Sequence, residues 1–101
     1  MEALKNHIYI AGQVTGLPYP TVQASFMAAK NNLIAQGYTV INPVEITASN
    51  TPWPKAMRGC ISVLMDCSHI YMLANWQASK GATLERMLAQ KTGIIIIYQN
   101  A

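Results

Sequence analysis

The sequence predicts a small doubly wound α/β fold, a parallel four-stranded sheet with three helices. Three observations carry this reading. Four short segments rich in β-branched and aromatic residues alternate with three segments of helical periodicity. Turn and cap residues stand at the joints between them. Finally, the 101 residues, 51% hydrophobic and only 11% charged, suffice for one core and leave no room for a second, so residues 1–101 form a single domain.

The strands are His7 to Ala11, Tyr38 to Ile41, His69 to Leu73 and Ile94 to Tyr98. The last is an unbroken apolar run, the pattern of a strand buried on both faces. The first helix is marked by Val22, Phe26, Ala29 and Leu33, with Gln36-Gly37 as its stop. Met57, Ile61, Leu64 and Met65 mark the second. Leu84, Met87 and Leu88 mark the third, with Ser79 as its N-cap and Gly93 just past its end. This β-α-β-α-β-α-β order implies a Rossmann- or flavodoxin-like sheet with right-handed crossovers and helices on both faces. Ligands of such sheets bind at the carboxyl edge of the strands, where the strand order reverses. The loops expected there are Gly12 to Pro20, Asn42 to Pro54 and Ala74 to Ser79.

Charge and cysteine content narrow the function. Five lysines and two arginines are spread along the chain, for a formal charge of +3. They form no basic run, which argues against a nucleic-acid binder and suits a small anionic ligand. Cys60 and Cys67 have no second pair to complete a zinc site, and no metal or cofactor is expected. Their spacing of seven would place both on one side of a helix. The N-terminus lacks a signal-peptide pattern and no apolar run reaches the length of a membrane span, so a cytoplasmic setting without membrane contact is expected.

Two segments could carry chemistry. The first loop, Gly12-Gln13-Val14-Thr15-Gly16-Leu17-Pro18, can bring backbone amides close to a ligand, or simply turn the chain. It is neither a P-loop nor a dinucleotide fingerprint. The third helix opens Ser79-Lys80-Gly81-Ala82-Thr83-Leu84-Glu85. Ser79, Lys80 and the first-turn amides make an anion site. Glu85, about a turn and a half inside, tilts back toward the same mouth. The plainer reading of Glu85 is an exposed helix glutamate beside Arg86. Trp53, Trp76 and Tyr19 could stack on a base or close the edge of the core. His7, His69 and Asp66 belong to the opposite edge of the sheet.

Tyr9-Ile10-Ala11-Gly12, Thr15-Gly16-Leu17-Pro18, Asn42-Pro43 with Glu45, Trp76, Ser79, Gly81 and Glu85 appear in that order along nearly the whole chain. On these residues the sequence resembles the nucleoside 2-deoxyribosyltransferase-like superfamily, which includes 2'-deoxynucleoside 5'-phosphate N-hydrolases. It is most similar to an uncharacterised small-domain family within that superfamily, frequent in phages and bacteria. The resemblance implies that Glu85 is a nucleophile attacking the anomeric carbon, oriented by Tyr9. It implies that Ser79 and first-loop amides bind a 5'-phosphate, with Gly12, Gln13, Thr15, Gly16, Asn42, Trp76, Lys80 and Gly81 completing the ligand site. It also implies a homo-oligomer.

The pattern breaks at one point. The superfamily's helix aspartate is Cys60 here, and a second frequent aspartate is Ser68. A thiol does not replace a carboxylate as acid or acceptor. Glu45 would substitute only if its loop folds inward. Two functions therefore stand side by side: an N-glycosidic bond hydrolase or transferase acting on a nucleotide or nucleoside, and a nucleotide-binding protein that sequesters or senses its ligand without cleaving it. A third, an interaction module with a vestigial pocket, stands behind them.

Overall fold

A computed structural model describes residues 4–100. Its elements are β1 (Leu4–Ala11), α1 (Tyr19–Ala35), β2 (Thr39–Ile41), α2 (Pro43–Ile46), α3 (Trp53–Leu64), β3 (Cys67–Met72), a 3-10 turn at Trp76–Ala78, α4 (Lys80–Thr92) and β4 (Ile95–Tyr98). All four strands are parallel, in the order β2-β1-β3-β4. The chain first steps from β1 to β2 and then crosses back over β1 to β3. With right-handed crossovers that reversal sends the helices to opposite faces.

The period of two along β1 divides the core accordingly. Ile8 and Ile10 point to the face covered by Val22, Phe26, Ala29 and Leu33 of α1. Tyr9 and Ala11 point to the other face, with Ile70 and Met72 of β3, under Cys60 and Leu64 of α3 and Ala82 and Ala89 of α4. The caps read from the sequence form as expected. Ser79 Oγ accepts the Ala82 N–H at 3.0 Å, and Gly93 ends α4 in the left-handed region at φ 81°. Gly37, at φ 96°, turns the chain out of α1.

Four details depart from the sequence reading. A fourth, one-turn helix, α2, lies inside the segment expected to be loop, because Asn42 caps it and Pro43 sits in its first turn. β4 is an edge strand, with Ile95 57% and Tyr98 46% exposed, while Ile96 and Ile97 are partly buried, one against each core layer, so its apolar run reflects partial and not complete burial on the two faces. Cys67 opens β3 instead of sharing a helix with Cys60; both thiols are buried and free. The inward face of α4 is Gly81, Ala82, Glu85 and Ala89, whereas Met87 is exposed. The larger apolar residues that marked the helix are thus not the ones that dock it.

The strand reversal is closed tightly by Gly12. Leu73 N donates to Ala11 O at 2.8 Å, and a Cβ on Gly12 would lie 2.5 Å from Leu73 Cδ1 and 2.9 Å from both its Cβ and Cγ. Gly59, inside α3, would carry a Cβ into open space. Gly12→Ala should therefore destabilise the fold by about 1–3 kcal/mol through overpacking. Gly59→Ala should stabilise it by about 0.5–1 kcal/mol by restoring helix propensity. Denaturant unfolding of the two variants checks both signs.

Candidate functional site

A cavity of about 600 Å³ opens at the carboxyl edge of β1, enclosed by the first loop, the segment following α2, and the N-terminal halves of α3 and α4. Its chemistry begins with Tyr9. The central strand buries this side chain to 1% exposure, so its hydroxyl must find a partner inside the protein. Tyr9 Oη donates to Glu85 Oε2 at 2.5 Å, joining β1 to α4 across 76 residues of sequence. Glu85 is itself only 5% exposed. Its other oxygen, Oε1, accepts nothing from the described residues, and since no buried side-chain oxygen among them is orphaned, it opens to the cavity.

Burial sets the proton affinity of the pair. Desolvation lifts the Glu85 carboxyl from 4.5 to about 7, against the opposing effect of the Tyr9 hydrogen bond. The Tyr9 phenol is pushed well above its ordinary value, first by burial and then by the charge of Glu85. Tyr9 is therefore a fixed donor at neutral pH. Glu85 is the group that changes charge.

The mouth is built from the start of α4. Ser79 Oγ is used as an acceptor by the helix cap, while its hydroxyl hydrogen has no acceptor among the described residues. The first-turn amides of α4 lie beside it and favour an anion. Lys80 Nζ stands 4.5 Å above the Trp53 ring, bridging the first residues of α4 and α3. The two helices approach closely at Gly81, where a Cβ would meet Met57 Sδ at 3.0 Å and Trp53 Nε1 at 3.7 Å.

Of the residues singled out from sequence, Tyr9, Gly12, Thr15, Ser79, Lys80, Gly81 and Glu85 line this cavity, as do Tyr19 and Trp53. Four others are placed elsewhere. Trp76 packs at 6.1 Å from the Tyr98 ring with the Arg86 guanidinium 5.1 Å from its own, beside β4 and outside the cavity. Asn42 Oδ1 accepts from Val44 N and caps α2. Gln13 is tied to the neighbouring loops, its backbone N–H donating to Asn75 Oδ1 after β3 and its side chain to Thr15 O of its own loop. Gly16, at φ 92°, serves the turn.

Cys60 does face the cavity. Its thiol lies beside the Tyr9 hydroxyl and 3.7 Å from Thr47 Oγ1. Glu45 does not compensate for the missing carboxylate, because Lys30 Nζ holds both of its oxygens, at 2.8 and 2.9 Å, outside the cavity. Asp66 lies between α3 and β3, and Ser68 Oγ donates to His7 O and meets His69 Nδ1 at the opposite edge of the sheet. Glu85 is thus the only carboxylate lining the cavity among the described residues. Thr47 and Met57 also line it, although nothing in the sequence singled them out as site residues.

The raised affinity of Glu85 for a proton makes stability pH-dependent. Between about pH 4.5 and 7 the folded chain holds a proton at Glu85 that the unfolded chain has released. The Glu85 contribution is therefore fully present below that window and is lost as pH rises through it, by about 3 kcal/mol. Glu85→Gln, which keeps an acceptor for Tyr9, should flatten this part of the profile and exceed the wild type in stability at pH 8. Melting temperatures of both proteins across pH 5 to 8 provide the comparison.

No curated protein matches the chain. A family model described as a domain of unknown function, DUF4406, matches residues 6–98, from the interior of β1 to the end of β4. That span includes every residue of the cavity named above, and the chain belongs to the DUF4406 family of domains.

Proposed function

We propose that the cavity binds a nucleotide, with the phosphate at the N-terminus of α4 and the glycosidic carbon over Glu85, and that Glu85 opens the N-glycosidic bond. The observation that carries this reading is the buried Tyr9–Glu85 pair, with one carboxylate oxygen facing a cavity whose mouth is a helix N-terminus. Glu85 Oε1 attacks the anomeric carbon as the base departs, and water then hydrolyses the glycosyl ester. Tyr9 keeps Oε2 occupied and so aims Oε1 at the sugar. The resemblance to N-glycosidic hydrolases and transferases assigns these two residues the same roles.

A second reading is supported by Cys60. With a thiol where the superfamily carries a carboxylate, the same cavity would hold a nucleotide without cleaving it, sequestering or sensing the ligand. Both readings require the phosphate site. A nucleoside 5'-monophosphate should bind about 10- to 100-fold more tightly than its nucleoside, the worth of charge-assisted hydrogen bonds from Ser79, Lys80 and the α4 amides. Calorimetry measures the pair, and equal affinities would remove the phosphate from this helix. Chromatography of the incubated nucleotide separates the readings. Released base that disappears in Glu85→Gln supports cleavage, and intact nucleotide in a saturated protein supports sequestration.

A further inference from the structure

Among the described residues, the cavity offers a nucleophile without an acid to assist the leaving group. Cleaving a neutral N-glycoside by attack at carbon drives the base out as an anion unless a proton meets it, and such assistance is worth about 10²–10⁴ in rate. Tyr9 directs its proton to Glu85, and burial beside that carboxylate makes it a poorer acid than an ordinary phenol. Cys60, the side chain facing the pair, is a thiol and a weak donor. The Lys80 ammonium is turned onto the Trp53 ring at the mouth. Apart from Lys80, Glu85, the Cys60 thiol and the Trp53 indole, which is too weak an acid to give up a proton, the polar side chains lining the cavity among the described residues are hydroxyls, and Glu45 is held by Lys30 outside it.

From this one-sided set of groups we infer that the substrate is a cationic N-glycoside, a nucleotide whose ring nitrogen carries a positive charge, as in a pyridinium riboside 5'-phosphate. The inference rests on the proposed role of Glu85 and specifies what that residue acts on. As the bond from Glu85 Oε1 to the anomeric carbon forms, the carbon–nitrogen bond breaks. Its electron pair moves onto the ring nitrogen and cancels the charge there. The base departs neutral and takes no proton. Water then adds to the anomeric carbon, the carboxylate is released, and one proton of that water passes to solvent. The cation also prepares its own attack, because a positive ring beside Glu85 favours the ionised carboxylate over the protonated form that burial alone supports.

The test compares base release from nicotinamide mononucleotide with release from the adenine and cytosine 5'-monophosphates, in ribose and deoxyribose forms, by chromatography. Release from the pyridinium nucleotide should be faster by about 100-fold or more and be abolished in Glu85→Gln. Equal or faster release from the neutral nucleotides would overturn the cationic assignment and leave the proposed glycosidase standing. Binding of all of them with no release from any would overturn both. A second variant, Cys60→Asp, places a carboxylate where the acid is missing and should raise release from the neutral nucleotides by at least about 10-fold. If it melts as a folded protein and shows no such gain, the missing acid is not what selects the substrate. If it does not fold, the wild-type comparison alone decides.

Discussion

Tyr9 stands in β1, a central strand packed between both helix layers, and its side chain is almost wholly buried. Leaving such a group unpaired costs about 1–3 kcal/mol, so the element covering that face must bring an acceptor inward. α4 brings Glu85. The helix can do so because its docking face is otherwise glycine and alanine, which lets the backbone come close enough for the carboxylate to reach β1. The fold thus accepts a buried acid to satisfy a buried phenol, and the acid in turn takes on a proton affinity suited to neutral pH.

The same arrangement explains where the cavity is. The reversal of strand order parts the connections on either side of β1, and Gly12 against Leu73 keeps the β1–β3 junction narrow. The opening is displaced toward α3 and α4, whose N-termini converge through Gly81, Met57 and the Lys80–Trp53 contact. A positive helix end and a lysine at the rim, with Glu85 the lone carboxylate among the described lining residues, divide the cavity electrostatically. An anionic group is favoured outside and positive charge inside. A ligand bearing both in that order matches the gradient from end to end.

Much of this was legible in the sequence. The four strands, the α1 stripe of Val22, Phe26, Ala29 and Leu33, and the Ser79 and Gly93 caps follow from local rules that tertiary packing did not override. Glu85 could be placed near the mouth by helix geometry alone. That its partner is Tyr9 came only from the resemblance, since no local pattern links residues 76 apart in sequence. Trp76 and Asn42 were misread for a common reason. Both stand in segments at the correct edge of the sheet, but a ring finds its neighbours only after folding, and an amide followed by proline is readily used as a cap. Glu45 was settled by Lys30, a pairing between α1 and α2 that depends on a one-turn helix with too little periodicity to be seen. The apolar run of β4 carries the signature of a central strand because Ile96 and Ile97 pack against opposite core layers even at the edge of the sheet.

The ionisation of Glu85 is the property on which the site depends, and it can be observed without any ligand. Carbon-detected NMR of carboxyl-labelled glutamate gives the titration midpoint of Glu85 in the folded wild type and in Tyr9→Phe. A midpoint near 7 is expected in the wild type, with a further rise in the variant, which removes the one hydrogen bond that favours the charged form. A wild-type midpoint near the ordinary 4.5, or a midpoint that stays put or falls when the tyrosine hydroxyl is removed, would contradict a buried, Tyr9-held carboxylate at the floor of the cavity.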